Sequence, residues 1–120
     1  FIRQDIDMTV APVRNPTFVT LSDGTIRNTY DVRVRNKHGD ERLFKLSLSG
    51  DPAMRIVIEG TPLDTVNVTA DTAQLQRVYI IASKDTDPAA ADATPVRIWI
   101  EDIESGERAY KDTTFNGRGN

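Results

Sequence analysis

The segment from Ile26 to Arg35 alternates apolar and polar side chains with a period of two. Its even positions are Ile26, Asn28, Tyr30, Val32 and Val34, and its odd positions are Arg27, Thr29, Asp31, Arg33 and Arg35. Because successive side chains of a β-strand point to opposite faces, this pattern predicts a strand with one buried and one hydrated face. Such alternation is typical of antiparallel sheets, which often pack on a core through one face.

The same alternation recurs along the chain and is interrupted by turn signals rich in Gly, Pro, Asn and Asp. It predicts further strands at Ile6–Val10, Phe44–Leu48, Met54–Ile58, Thr65–Val68, Val96–Ile103 and Arg108–Phe115. We expect the last two to form a hairpin through the turn at Glu104–Glu107. Short strands at this spacing predict an all-β, immunoglobulin-like sandwich of about seven antiparallel strands. The length of 120 residues fits a single domain over residues 1–120.

Two segments depart from this pattern. Residues 75–82 also fit a helical stripe, but Val78–Ile81 consists only of β-branched and aromatic residues. We therefore predict a strand here, buried on both faces. The stretch Asp85–Thr94 is small and polar, and we expect it to be a loop between the last strands.

The composition excludes several classes of function. The chain has 18 acidic and 15 basic residues and a net charge of −3, which argues against nucleic acid as a partner and against membrane binding through a general positive field. It has no cysteine, so disulfides, thiolate metal sites, iron–sulfur ligation and cysteine nucleophiles are absent from it. No apolar run reaches the roughly 18 residues of a membrane-spanning helix. Because the sequence begins at Phe1 rather than Met, we expect a processed chain or a fragment of a longer protein.

Candidate catalytic and metal-binding residues are few. His38 is the only histidine and lies in a Lys-His-Gly-Asp turn, which is typical of an exposed turn residue. Met8 and Met54 could in principle bind copper, but both fall on the apolar parity of strands and are expected in the core. The carboxylates of the 85–94 loop lack the order of an EF-hand and are interpreted as solvated. We predict no catalytic, cofactor-binding or metal-binding residue.

Two exposed features could bind a partner. Arg27, Arg33 and Arg35 share one strand face, and Arg42 follows nearby. They form either a solvated face with cross-strand ion pairs or a docking surface for an acidic partner or lipid headgroups. Trp99 lies on the outward parity of its strand, where it could bind a carbohydrate or cover part of the sandwich.

The first third of the chain resembles the C-terminal immunoglobulin-like domain of the FixG family, also called RdxA or CcoG, the cytochrome c oxidase accessory proteins. The matching residues are Arg14-Asn15-Pro16, Val19, Leu21-Ser22-Asp23-Gly24, Ile26-Arg27-Asn28, Tyr30 and Asn36-Lys37. Val13 stands where the family usually has Asp. Thr94-Pro95-Val96 and the ending Phe115, Gly117 also fit, so the resemblance extends over essentially the whole chain.

The resemblance implies a longer parent protein with several transmembrane helices and 4Fe-4S clusters upstream. It implies that this domain lies on the periplasmic side of the bacterial inner membrane. The parent would be an oxidoreductase that takes part in cbb3-type oxidase assembly and copper reduction. The domain itself would be non-catalytic and hold no cofactor, and it would contact oxidase assembly partners or a membrane-proximal protein surface. The alternative is a secreted or cell-surface adhesion or carbohydrate-binding module.

Asn28 is the one polar residue on the buried parity of its strand. A buried amide must find hydrogen-bond partners. We predict that it bonds loop backbone and pins the Asn15–Gly24 connection, in which Asp23-Gly24 permits a tight turn with positive φ.

Overall fold

Antiparallel strands make up almost all the regular structure of the computed structural model, which describes residues 6–14 and 16–119. Its elements in chain order are β1 (Ile6–Pro12), β2 (Val19–Thr20), β3 (Ile26–Asn36), β4 (Arg42–Ser49), β5 (Met54–Ile58), β6 (Thr65–Val68), β7 (Ala73–Ala82), α1 (Asp87–Ala90), β8 (Thr94–Asp102) and β9 (Arg108–Phe115). All the strands predicted from alternation are present, including the β8–β9 hairpin.

The strands form two antiparallel sheets that pack as a sandwich. One sheet has the order β1-β3-β7-β5, with β2 pairing on β3, and the other has the order β6-β4-β8-β9. The prediction of an all-β sandwich is confirmed. The described residues contain more strands than the predicted seven, partly because the two residues of β2 are too few to show a periodic signal.

The core lies between the inward faces of the two sheets. β3 contributes Ile26, Tyr30, Val32 and Val34, and the facing sheet contributes Phe44, Leu46, Ile98, Ile100 and Phe115, all at most 1% exposed. Met8 and Met54 are also buried in this cluster, so the interpretation of both methionines as core residues is confirmed.

Strand β7 departs from the prediction in its burial. It is a strand, as predicted, and Val78, Ile80 and Ala82 are buried. The expectation that it is buried on both faces is wrong, because Tyr79 and Ile81 are only partly buried and Leu75 is 65% exposed. β7 is central within its sheet, between β3 and β5, but no further layer of the described residues covers the outer face of that sheet.

The predicted loop at Asp85–Thr94 contains the short helix α1. Pro88 and Ala89 of this helix are buried, and the backbone N–H of Arg118 donates to the carbonyl of Ala89 at 2.9 Å. Gly117 is packed so closely here that an added Cβ would lie 2.3 Å from the carbonyl oxygen of Pro88. The small residues of this segment therefore serve as a docking site for the C-terminal end of the chain.

Asn28 is 3% exposed, and both polar atoms of its side chain are hydrogen-bonded to backbone, as predicted, but in a different segment. Its Nδ2 donates to the carbonyl of Asn116 at 2.8 Å, and its Oδ1 accepts the N–H of Asn116 at 2.7 Å. The expectation that Asn28 pins the connection before Gly24 is wrong for the described part of that connection; Asn15 lies outside the described residues. Gly24 does have the positive φ predicted for the turn.

Candidate interaction surface

The four predicted arginines do not lie on one surface. Arg27, Arg33 and Arg35 alternate with the buried residues of β3 and therefore lie on the outer face of the five-stranded sheet. Arg42 opens β4 in the other sheet and shares the inward parity of the buried Phe44. Only the first three can contribute to a common docking surface.

Two further arginines join the outer face of the five-stranded sheet. Arg55 of β5 and Arg27 are both directly opposite Ile81 of β7, and Arg77 is directly opposite Asp31. We call the set Arg27, Arg33, Arg35, Arg55 and Arg77 the arginine face. Sequence reasoning missed Arg55 and Arg77 because the order of the strands in the sheet, and hence their neighbours, cannot be read from local alternation.

One end of the arginine face is ordered by contacts within the sheet. The guanidinium carbon of Arg27 lies 4.5 Å from the centroid of the Tyr79 ring. The Tyr79 hydroxyl donates to the carboxylate of Glu59, and this hydrogen bond raises the pKa of Tyr79. Arg77 Nε donates to Asp31 Oδ1 at 3.3 Å. These contacts hold Arg27 and Arg77 against the sheet.

The other end of the face is more open. Arg33 and Arg35 are exposed and are directly opposite Thr9 and Asp7 of β1, and the four side chains line a shallow depression. Arg35 lies 3.9 Å from Asp71, and both of these side chains are largely exposed. Exposed ion pairs at such distances contribute little. The two guanidinium groups are therefore accessible to an anionic group on a partner.

Trp99 belongs to a stack on the outer face of the other sheet. Its ring centroid is 5.0 Å from that of Tyr110, the residue directly opposite on β9. The guanidinium carbon of Arg108 lies 4.2 Å from the Trp99 centroid, and that of Arg97 lies 3.9 Å from the Tyr110 centroid. Trp99 Nε1 donates to Ser49 Oγ at 3.0 Å. Each ring therefore already carries a guanidinium on one face, an arrangement that does not favour sugar stacking.

Arg97 is also fixed by a carboxylate. Its Nε donates to Asp112 Oδ1 at 2.8 Å and its second terminal nitrogen donates to Oδ2 at 3.3 Å. The hydrogen bond from Arg97 lowers the pKa of Asp112 and raises that of Arg97. The stack and this ion pair together form a preordered patch on the four-stranded sheet.

Arg42 has a structural role at one end of the sandwich. One of its terminal nitrogens lies 3.0 Å from Asp102 Oδ2 and 2.9 Å from Glu104, while Nε lies 3.1 Å from Asp40. Asp102 is fully buried, and its Oδ1 accepts the backbone N–H groups of Glu104 and Ser105. Arg42 therefore offsets a buried charge at the β8–β9 turn.

His38 lies beside the same carboxylate. Its Nε2 is 3.5 Å from Asp102 Oδ2 and 3.9 Å from Glu107 Oε1, and its side chain is only 18% exposed. The interpretation of His38 as an exposed turn residue is wrong, because the β3–β4 loop folds over the β8–β9 turn. Sequence reasoning missed this cluster since its members lie far apart along the chain.

No helix among residues 6–14 and 16–119 is long and apolar enough to cross a membrane. Comparison with known proteins gives a family for the chain. Residues 1–118 match the family model described as "IG-like fold at C-terminal of FixG, putative oxidoreductase". The chain is 51% identical over 120 residues to protein RdxB and 42% identical over 119 residues to protein RdxA, both from Cereibacter sphaeroides.

These alignments cover 100% and 97% of the chain but only 25% of each relative, so the chain spans about a quarter of their length. Nitrogen fixation protein FixG of Rhizobium meliloti is 29% identical over 119 residues, which cover 95% of the chain and 22% of that protein. The crystal structure of a FixG-related protein from Vibrio parahaemolyticus has the same fold, with a TM-score of 0.79, 18% identity and coverage of 97% of this chain and 99% of that one. The chain belongs to the FixG family and constitutes its C-terminal immunoglobulin-like domain.

Proposed function

We propose that this chain is a non-catalytic interaction domain of a longer, membrane-bound FixG-type iron–sulfur protein. In this proposal the domain lies on the periplasmic side of the bacterial inner membrane and supports cbb3-type oxidase assembly and copper reduction by the parent. Two findings support it: the family match over residues 1–118, and the alignment to only a quarter of RdxB and RdxA.

In this proposal the redox chemistry belongs to another part of the parent, which the absence of cysteine from the sequence supports. Iron–sulfur clusters are held by cysteine thiolates, with histidine replacing some of them in certain centres. A chain with one histidine and no cysteine cannot supply such a ligand set. The 4Fe-4S clusters of the proposal would therefore be bound upstream, and this domain would position the parent or contact its partners.

The arginine face is the observation that carries the interaction role. It places five arginines on one side of a chain whose net charge is −3. The described acidic residues on or beside this face are Asp7, Asp31, Glu59 and Asp71, so five arginines meet four carboxylates and a small positive surplus remains. A patch of one sign steers and orients a partner of opposite charge. We therefore propose an acidic surface of an oxidase assembly partner as the ligand of this face.

Charge reversal at the open end of the face tests the proposal. Arg33→Glu with Arg35→Glu in the full-length parent is expected to lower the amount of assembled cbb3 oxidase in membranes. The matched control is Lys45→Glu with Lys111→Glu, which makes the same charge change on strands of the other sheet. Parent protein levels are followed by immunoblot in both strains.

Binding of the partner should weaken as salt is raised, because surface charges are screened over about 8 Å at physiological ionic strength. Wild-type oxidase levels in the Arg33, Arg35 variant, or an equal loss in the control variant, would reject the arginine face as the docking surface.

A further inference from the structure

We propose that His38, Asp102 and Glu107 form a binding site for a single divalent transition-metal cation. The site lies at the end of the sandwich where the β3–β4 loop meets the β8–β9 turn. His38 Nε2 is 3.5 Å from Asp102 Oδ2 and 3.9 Å from Glu107 Oε1, and the three ligand atoms all lie within 4.8 Å of one another. One ion about 2.0–2.2 Å from each atom fits this spacing with modest adjustment.

Asp102 is positioned as a ligand by the surrounding chain. A carboxylate offers about four lone-pair positions. Oδ1 accepts the N–H groups of Glu104 at 3.0 Å and Ser105 at 3.3 Å, and Oδ2 accepts one guanidinium hydrogen of Arg42 at 3.0 Å. One lone-pair position of Oδ2 remains, and His38 Nε2 lies 3.5 Å from that oxygen. Such outer hydrogen bonds are what usually orient a carboxylate toward a metal.

The side chain of His38 is the second reason to place a metal ion here. Its Nε2 atom is buried and has no hydrogen-bond partner among the described residues. The backbone of the residue is held on both sides: its N–H donates to Asn36 Oδ1 at 2.9 Å, and its carbonyl accepts the N–H of Asp71 at 3.1 Å. The fold therefore holds the imidazole nitrogen beside two carboxylates without giving it a hydrogen bond.

The charge around the site points to a cation. The carboxylates of Asp102, Glu104 and Asp40 all contact the single guanidinium of Arg42, and Glu107 lies beside His38. Three carboxylates thus share one permanent positive charge, which leaves a negative surplus at a partly enclosed position. A divalent cation would offset this surplus. Imidazole and carboxylate are donors that zinc and neighbouring first-row ions accept, and water would complete the coordination.

Zinc titration of the chain tests the site directly. The tag-free 120-residue protein, freed of metal with EDTA, is titrated with Zn²⁺ by calorimetry and by NMR. Because the chain has one histidine, a single imidazole signal reports on the ligand. We expect one equivalent of zinc to shift the Nε2 resonance of His38 and the amides of the two converging loops.

Variants separate the site from adventitious binding. His38→Gln and Glu107→Gln are each expected to reduce zinc affinity at least tenfold. Glu104→Gln removes a nearby carboxylate that is not a ligand, and is expected to leave affinity within about twofold. Amide spectra establish that each variant is folded, and Glu107→Gln serves if His38→Gln does not fold.

Two results would overturn the proposal. In one, zinc leaves the imidazole signal of His38 unchanged, so that an ion pair with the carboxylates accounts for the cluster. In the other, zinc binds but Glu107→Gln retains full affinity. The measurement does not depend on the interaction role proposed above, so either proposal can fail alone.

Discussion

The side chain of Asn28 and the backbone of Asn116 form two reciprocal hydrogen bonds between the two sheets of the sandwich. Asn28 belongs to β3 of one sheet, and Asn116 directly follows β9 of the other. Tyr30 reinforces the link, because its hydroxyl donates to the carbonyl of Thr114 at 2.6 Å. The polar connection therefore fixes the end of the last strand against the central strand of the opposite sheet.

Asn28→Ala is expected to lower the free energy of unfolding by about 2 kcal/mol, because it leaves both backbone groups of Asn116 without their partner. Asn28→Asp keeps the acceptor but turns a carboxylate oxygen toward the carbonyl of Asn116 in a buried site, and should be at least as damaging. Urea unfolding of the three proteins measures the difference. Thr29→Ala, on the outer face, is the control and should change stability by about 0.5 kcal/mol or less. Unchanged stability of Asn28→Ala would reject the pinning role.

Gly117→Ala is expected to destabilise the chain by about 1–3 kcal/mol, in the range of overpacked sites. The added methyl would meet three backbone carbonyls of the α1 segment at 2.3 to 2.6 Å, and backbone cannot move aside as a flexible side chain can. Gly39→Ala is the matched control, because nothing lies within 4 Å of its Cβ position. Thermal unfolding should show a lower midpoint for Gly117→Ala than for the unmodified chain. The midpoint of Gly39→Ala should be unchanged.

Replacing Arg42 by Ala should lower the stability of the chain far more than replacing Arg33 by Ala. Arg42→Ala leaves the fully buried Asp102 without its guanidinium, and uncompensated buried charges are strongly destabilising. Arg33 is exposed on the outer face of β3 and should tolerate the change. The urea midpoint of Arg42→Ala is expected to fall well below that of Arg33→Ala. Equal midpoints would contradict a structural role for Arg42.

The Arg97–Asp112 pair should be sensitive to acid. The hydrogen bond from Arg97 lowers the folded-state pKa of Asp112 below the ordinary 3.8. A group with a lowered folded pKa contributes stability above its unfolded pKa, and that contribution is lost as pH falls through the folded value. Titration followed by the carboxyl carbon signal should show a midpoint below 3.8 for Asp112. Arg97→Gln should return it to the ordinary value; a midpoint unaffected by that change would refute the pairing.

Local alternation determined most of the fold from the sequence. Positions 26–36 could be assigned to inner and outer faces because side-chain direction along a strand depends only on residue parity. Gly24 was identified as the positive-φ turn residue for an equally local reason. The family resemblance of the Arg14–Lys37 segment was likewise readable from the letters, and the match over residues 1–118 confirms it. The location, cofactors and partners of the parent stay predictions.

The tertiary structure alone decided which distant residues meet. Arg42 looked like a neighbour of Arg35, yet it lies in the other sheet against Asp102. Arg55 and Arg77 lie on the arginine face because β3 and β5 both pair with β7. Parity is a property of one strand, whereas strand order and register depend on how all the strands share one core. No local pattern in the sequence contains that information.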